Sequence, residues 1–193
     1  MFASVFPRFK EEYPDVRVGL VEGSVLEISK AIAEGRVDMG FVTNTLRYPN
    51  VAIRHQADER IVLAVPKSHP AAAMAGKQTA VDLSMFREDN FLLTGEGTTL
   101  RTIADRAFAE AGFTPRVVFE THSISTLHAL ATGGFGLSFV PEFYTRGKTD
   151  AVYFEITPPR SWELVVASRI GSYLTRAQEH FISLVTRYYQ QPW

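Results

Sequence analysis

Two stretches of the chain carry one pattern. Leu20–Thr43 reads LVEGSVLEISKAIAEGRVDMGFVT, and Val118–Pro141 reads VFETHSISTLHALATGGFGLSFVP. Laid side by side without a gap, Glu22 meets Glu120, Ala31 meets Ala129 and Ala33 meets Ala131. Gly35 then meets Gly133, Phe41 meets Phe139 and Val42 meets Val140. Each copy runs apolar stretch, polar turn, short helix, glycine, apolar stretch. That order describes a strand–helix–strand unit, the building block of parallel sheets. A pattern repeated within one chain predicts repeated architecture. The chain therefore reads as two α/β lobes, one around each copy.

The flanking segments fill in both lobes. Phe2, Val5, Phe6 and Phe9 fall at helical offsets, with Pro7 predicting a late start or a kink. Val16–Val21 reads as a strand. Ser24 and Glu27 form a capping box for the next helix, which Gly35 ends. Val51–Ile53 and Arg60–Val65 read as separate strands, the second leading into a proline-flanked crossing at Pro66–Pro70. Thr79 is expected to cap a helical turn over Val81–Phe86. Phe91–Leu93 is a strand, followed by a helix that Gly112 ends. Val152–Ile156 and Trp162–Ser168 read as two strands separated by a stiff turn at Pro158-Pro159-Arg160. Thr175 and Gln178 form a second capping box, opening the last helix. Lobe one is expected over 1–64 with 167–193, and lobe two over 65–166. The second lobe opens on the strand at Phe91. Its counterpart in lobe one would precede Met1, so lobe one is expected to lack its first strand.

Composition removes several function classes. The formal net charge is −1, which gives no global basic field for nucleic acid. There is no cysteine, so disulfides and thiolate sites are out. No apolar run reaches the ~20 residues of a membrane span, and the N-terminal stretch lacks the pattern of a secretory signal. The cytoplasm is the default compartment. His122 and His128 are too far apart on a helix to share a metal, and no nucleotide, zinc-protease or nucleophile-elbow motif is present. No cofactor and no metal are expected.

In open parallel sheets, ligands bind beyond the carboxyl ends of the strands, where helix N-termini point N–H groups outward. In lobe one those ends carry Ser24, Val25, Thr43 and Asn44. In lobe two they carry Gly97, Thr98, Thr121, His122, Ser123 and Val140. Such a set suits a small anion. Helix capping alone also explains Ser24 and Ser123, and a turn into a helix explains Gly95-x-Gly97. Glu22 and Glu120 read as turn residues, and His69 as structural.

Five segments in order give the chain a family likeness: FPRFKEEYPDVRVGLVEGS (Phe6–Ser24), EGRVDMGFV (Glu34–Val42), VPKSHP (Val65–Pro70), AGFTPRVVFETHS (Ala111–Ser123) and ALATGGFGLSFVPE (Ala129–Glu142). Together they resemble the effector-binding domain of LysR-type transcriptional regulators. The resemblance implies a fold like the type 2 periplasmic binding proteins: two Rossmann-like lobes, two crossover strands acting as a hinge, and a small-molecule cleft. It implies a ligand-sensing role, with a small-molecule effector, for which the anion-suited turns favour an organic acid, and a conformational change passed to an N-terminal DNA-binding domain that is absent from this chain. RNA polymerase is then a partner of the full-length protein. Hinge strands are expected near Leu63–Val65 and Leu164–Ala167. The resemblance also implies a homo-oligomer, with Phe2, Val5 and Phe9, the stretch Arg17–Leu20, and the helix Ile124–Thr132 as contact surfaces. The family often has Ser or Thr where this chain has Val25. Two other readings compete: a solute-binding protein of a transporter, and an enzyme on the same fold.

Overall fold

The computed structural model describes residues 2–45, 47–146 and 150–190. They form two units, one running up to Glu59 and resuming at Glu163, the other spanning Arg60–Trp162. Both divisions fall inside long strands, β2 (Val51–Pro66) and β7 (Ala151–Arg169). The breaks expected after 64 and 166 lie a few residues further along the same strands.

The first unit is built on alternation. In β1 (Met39–Thr43), Val42 packs with Ile28 and Ile32 of α2 (Val25–Ala33), while Met39 and Phe41 pack on the other side with Phe9 and Phe181. Successive strand residues face opposite ways, so a five-residue strand serves two helix layers. Gly40 permits the close approach of α2: a Cβ there would lie 2.7 Å from Ile28 Cγ2 and 2.9 Å from Ile32 Cδ1. β1 runs antiparallel to β7, with Met39 opposite Ser168 and Thr43 opposite Leu164.

Helix α1 (Phe2–Glu12) starts ahead of Pro7, contrary to the late start that proline predicts. Its Val5 and Phe9 are buried against Phe181 and Val185 of α5 (Arg176–Gln190), and that packing outweighs the one backbone bond Pro7 cannot make. Val5 and Phe9 are thus spent inside this unit, while the side chain of Phe2, the third residue of the expected contact surface, lies outside the described residues. The strand expected over Val16–Val21 is also absent. No strand among the described residues pairs with this segment, and Leu20 and Val21 are more than half exposed.

The second unit repeats the alternation on a larger scale. β4 (Asn90–Thr94) runs parallel to β5 (Arg116–Thr121), and Phe91 bridges to Leu137 beside β6 (Ser138–Pro141). β6 pairs antiparallel with Ile61–Ala64 of β2. Ile61, Leu63, Phe91, Leu93 and Phe139 face α3 (Thr99–Ala111), while Val62, Ala64, Leu92 and Val140 face α4 (Ile124–Thr132). Gly112 ends α3 at φ 72°.

Three local expectations do not hold. Asp82, not Thr79, caps the turn at Leu83–Phe86, because Ala80–Asp82 is already the strand β3, parallel to β7. The turn at Pro158-Pro159 does not occur. β7 continues through both prolines, which fall between Thr157, where β3 pairing ends, and Leu164, where β1 pairing begins. A missing N–H there costs no ladder bond to either strand. Likewise Val51–Ile53 and Arg60–Val65 belong to one strand, β2. Among the described residues, no helix is long and apolar enough to cross a membrane.

Candidate functional site

In the first unit, the turn before α2 is closed by its own side chains. Ser24 Oγ accepts from the Glu27 amide at 3.2 Å. The Ser24 amide and hydroxyl both donate to Glu27 Oε2 at 2.8 Å. Those bonds, the amide's first, hold the Glu27 carboxyl below the usual carboxylate range. Val25 packs against the cluster of Ile28, Ile32 and Val42. At the end of β1, Thr43 is buried and shares a 3.5 Å contact with Thr45 Oγ1. The Asn44 amide donates to the Glu163 carbonyl at 2.8 Å, and its side-chain nitrogen donates to the Glu163 carboxylate.

In the second unit, the expected residues gather at the N-termini of α3 and α4. Gly97 takes φ 79°, a conformation costly for other residues, and turns the chain into α3. The single Thr98 hydroxyl hydrogen has two acceptors in reach, Thr94 Oγ1 at 2.8 Å and the Gly95 carbonyl at 2.9 Å. Every hydrogen finds a use if Thr94 donates to Thr98 and Thr98 donates to Gly95. Because Thr98 Oγ1 also accepts from the Arg101 amide at 3.2 Å, its bonding capacity is then full. Ser123 is similarly occupied. It accepts from the Thr126 amide at 3.2 Å and the Thr126 hydroxyl at 2.9 Å, and it contacts Ser125 Oγ at 2.9 Å. Val140 is fully buried, so its side chain belongs to the core.

Thr121 and His122 differ. Thr121 Oγ1 accepts only the Ser123 amide, at 3.2 Å, and keeps its hydrogen to give. His122 is exposed, and its ring nitrogens have no partner among the described residues. The ring lies on Gly95: a Cβ there would be 2.7 Å from His122 Cε1 and 2.8 Å from Nε2. The Gly95 amide in turn donates to the Thr121 carbonyl at 3.1 Å, fixing one turn to the other. The sequence marked Gly95 as part of the turn into α3, but not as the surface on which His122 rests. The carboxylate of Glu27 was announced by its capping box, although its closeness to the candidate site was not.

A cavity of about 240 Å³ opens elsewhere in this unit, lined by Ser68, His69, Asp89 and the turn at Gly134–Leu137. Serine, histidine and aspartate together suggest a hydrolytic triad, but the imidazole is used up. His69 Nδ1 accepts from the Ala71 amide at 3.1 Å, so Nε2 carries the hydrogen and donates to Asp89 at 3.1 Å. No ring nitrogen remains to take a proton from Ser68. His69 is structural, capping the turn at Pro70–Met74. No cluster of three metal-ligating side chains occurs among the described residues.

Comparison with known proteins agrees with the motifs. The LysR substrate binding domain model matches residues 1–190. The HTH-type transcriptional regulator YcgK of Bacillus subtilis is 29% identical, over 95% of this chain and 61% of that protein. The chain thus spans about three fifths of that relative's length. Two solved structures share the fold at 18% identity. One is the effector-binding domain of QuiR in complex with shikimate, with TM-score 0.74 over 98% of this chain and 90% of that one. The other is the regulatory domain of Synechocystis CcmR in complex with 2-PG, with TM-score 0.78 over 98% and 91%. Like them, the chain has the mixed α/β, periplasmic-binding-protein-like architecture. By its match along nearly the whole sequence, the chain belongs to the LysR substrate-binding domain family.

Proposed function

We propose that this chain is the ligand-sensing domain of a transcriptional regulator and binds a small organic acid without turning it over. The family match over residues 1–190 carries this reading. The shikimate held by QuiR and the 2-PG held by CcmR support the class of effector. The candidate effector contacts are the strand–helix turns of each unit: Ser24, Val25, Thr43 and Asn44 in the first, and Gly97, Thr98, Thr121, His122 and Ser123 in the second. Thr121 and His122 make the direct polar contacts, because their donors are free. Backbone N–H groups serve at Thr98 and Ser123, whose hydroxyls already cap helices. The effector shifts the equilibrium between two arrangements of the units by its differential affinity for them. The strands near Leu63–Val65 and Leu164–Ala167 absorb the change.

DNA and RNA polymerase are then partners of a larger cytoplasmic protein through a domain outside this chain. Self-association is part of the same reading. Apolar side chains are exposed at Val18, Leu20 and Val21 and along β5 at Val117, Val118 and Phe119, surfaces that a second copy would cover.

A thermal-shift screen of small acids tests the proposal. A ligand at about 100 times its dissociation constant adds about 2.7 kcal/mol, which raises the melting temperature by about 5–10 °C in a chain of this size. A panel including shikimate and benzoate that leaves the melting temperature unmoved, or that is consumed on incubation, overturns it.

A further inference from the structure

The sensing role leaves the cavity lined by Ser68, His69, Asp89 and the turn at Gly134–Leu137 unused. It lies wholly within the second unit. Its wall includes Asn90, where β4 begins, whereas the candidate turns lie where β4 and β5 end. At about 240 Å³ it falls just below the ~300–1,000 Å³ of ordinary small-molecule pockets, so it suits a small ligand.

Its chemistry is opposite to that of the candidate effector turns. Asp89 Oδ1 accepts from a His69 ring that is neutral, because Nδ1 takes the Ala71 amide. Lys67 and Arg87, the cations nearest in sequence, form no ion pair with Asp89. Its charge is therefore uncompensated among the described residues, and Oδ2 keeps its capacity to accept. The Ser68 hydroxyl also lines the cavity and has no hydrogen-bond partner among the described residues. Phe135, on the same lining, is 64% exposed. Its backbone is fixed all the same. The Phe135 amide donates to the Leu130 carbonyl at 3.1 Å, and a Cβ at Gly136 would lie 2.8 Å from the Asn90 carbonyl oxygen. The ring lies over Gly133, where a Cβ would meet Phe135 Cδ2 and Cε2 at 3.4 Å. An aromatic ring and an unpaired carboxylate on one small cavity both attract a cation.

We propose that this cavity is a second ligand site, selective for a small organic cation. The ligand's ammonium or guanidinium group donates to Asp89 and Ser68, the Phe135 ring attracts its charge, and its apolar part rests on Pro66 and Pro70. An organic acid is repelled here by Asp89. The site is thus distinct from the candidate effector turns in place and in charge, and it stands whether or not those turns bind an acid.

The test uses benzylamine as probe, protonated at neutral pH, with benzyl alcohol as its neutral counterpart and benzoate as its anionic one. Each is followed by amide NMR at constant ionic strength. Benzylamine should shift the amides of Ser68, Asp89, Asn90 and Gly134–Leu137 saturably and leave those of Thr121–Ser125 in place. Benzyl alcohol and benzoate should bind the cavity at least about fivefold more weakly, the weight of one opposite charge at ~4 Å in water. Asp89→Asn removes the charge while its amide oxygen can still accept from His69 Nε2, and should weaken benzylamine at least about fivefold. Phe135→Ala, at an exposed position, should weaken it about two- to fivefold. The proposal is overturned if benzyl alcohol binds as tightly as benzylamine, if either variant binds benzylamine as the wild type does, or if no amide at the cavity responds saturably. Movement of the same amides with protein concentration alone, before any probe is added, overturns it in favour of a cationic side chain from a second copy.

Discussion

Gly95→Ala separates folding from ligand contact. The added Cβ would sit 2.7 Å from His122 Cε1 and 2.8 Å from Nε2, against a comfortable ~3.5–4.0 Å between carbons. The ring must therefore retreat by about 1 Å. It is exposed and has no hydrogen bond to break among the described residues. The retreat thus costs no more than an off-rotamer side chain, about 0.5–1.5 kcal/mol. Against this, Gly95 is not in the left-handed region, so alanine restricts the unfolded chain and returns about 0.4–1 kcal/mol. Stability should stay within about 1 kcal/mol of wild type. Binding should not, because a hydrogen bond from His122 to an anionic effector contributes about 1.5–3 kcal/mol, or roughly 10- to 100-fold in affinity. Denaturant melts and calorimetric titration with an acid found by thermal shift measure the two quantities. A cycle with His122→Ala supplies the control, since the double variant should bind no worse than His122→Ala alone. Additive losses, or a stability loss beyond about 2 kcal/mol, would refute the argument that Gly95 acts through His122.

The same glycine logic predicts the opposite balance at Gly40. Its Cβ would strike Ile28 and Ile32 in a filled core, so Gly40→Ala should lose about 1–3 kcal/mol in urea melts while leaving affinity per folded molecule unchanged. Tyr153 donates to or accepts from the buried His128 Nε2 at 2.7 Å. Burial, with the Asp150 charge second, pushes its phenol up to about 12. A raised phenol stabilises the fold fully below ~10, the unfolded value, and less as pH climbs through the folded one. Tyr153→Phe should therefore cost about 0.5–1.5 kcal/mol at pH 8, and the gap to wild type should narrow by pH 11. A gap of constant size would show that the phenol titrates normally.

The architecture could be read from the sequence because apolar alternation and helix caps are local signals. The repeat was legible in outline but off by one residue. Gapless matching aligned Ala31 with Ala129, whereas the folded helices align on their caps. Ser24 matches Ser123, and the left-handed glycines are Gly35 at φ 70° and Gly134 at φ 87°. The Arg36 amide bonds to the Ala31 carbonyl as the Phe135 amide bonds to that of Leu130. Capping fixes the helix frame, while small residues inside the helix tolerate a slip. The long strands were misread because proline and polar runs suggest turns, and only the pairing partners show that Pro158 and Pro159 fall outside the β3 and β1 ladders.

The candidate site was less legible for a related reason. A hydroxyl in the sequence advertises one donor and two acceptor positions, and only the fold shows how many are already filled. Ser24, Thr98 and Ser123 all looked like ligand contacts, and all three are helix caps. Their value to a ligand is indirect, since each cap orients a helix end whose unpaired N–H groups remain. What distinguishes the two copies is then the charge at that end. α2 carries its own carboxylate in its first turn, whereas α3 and α4 carry none. A duplicated unit can thus carry two differently charged helix ends on one geometry, with the difference resting on the third helical residue: glutamate in the first copy, threonine in the second.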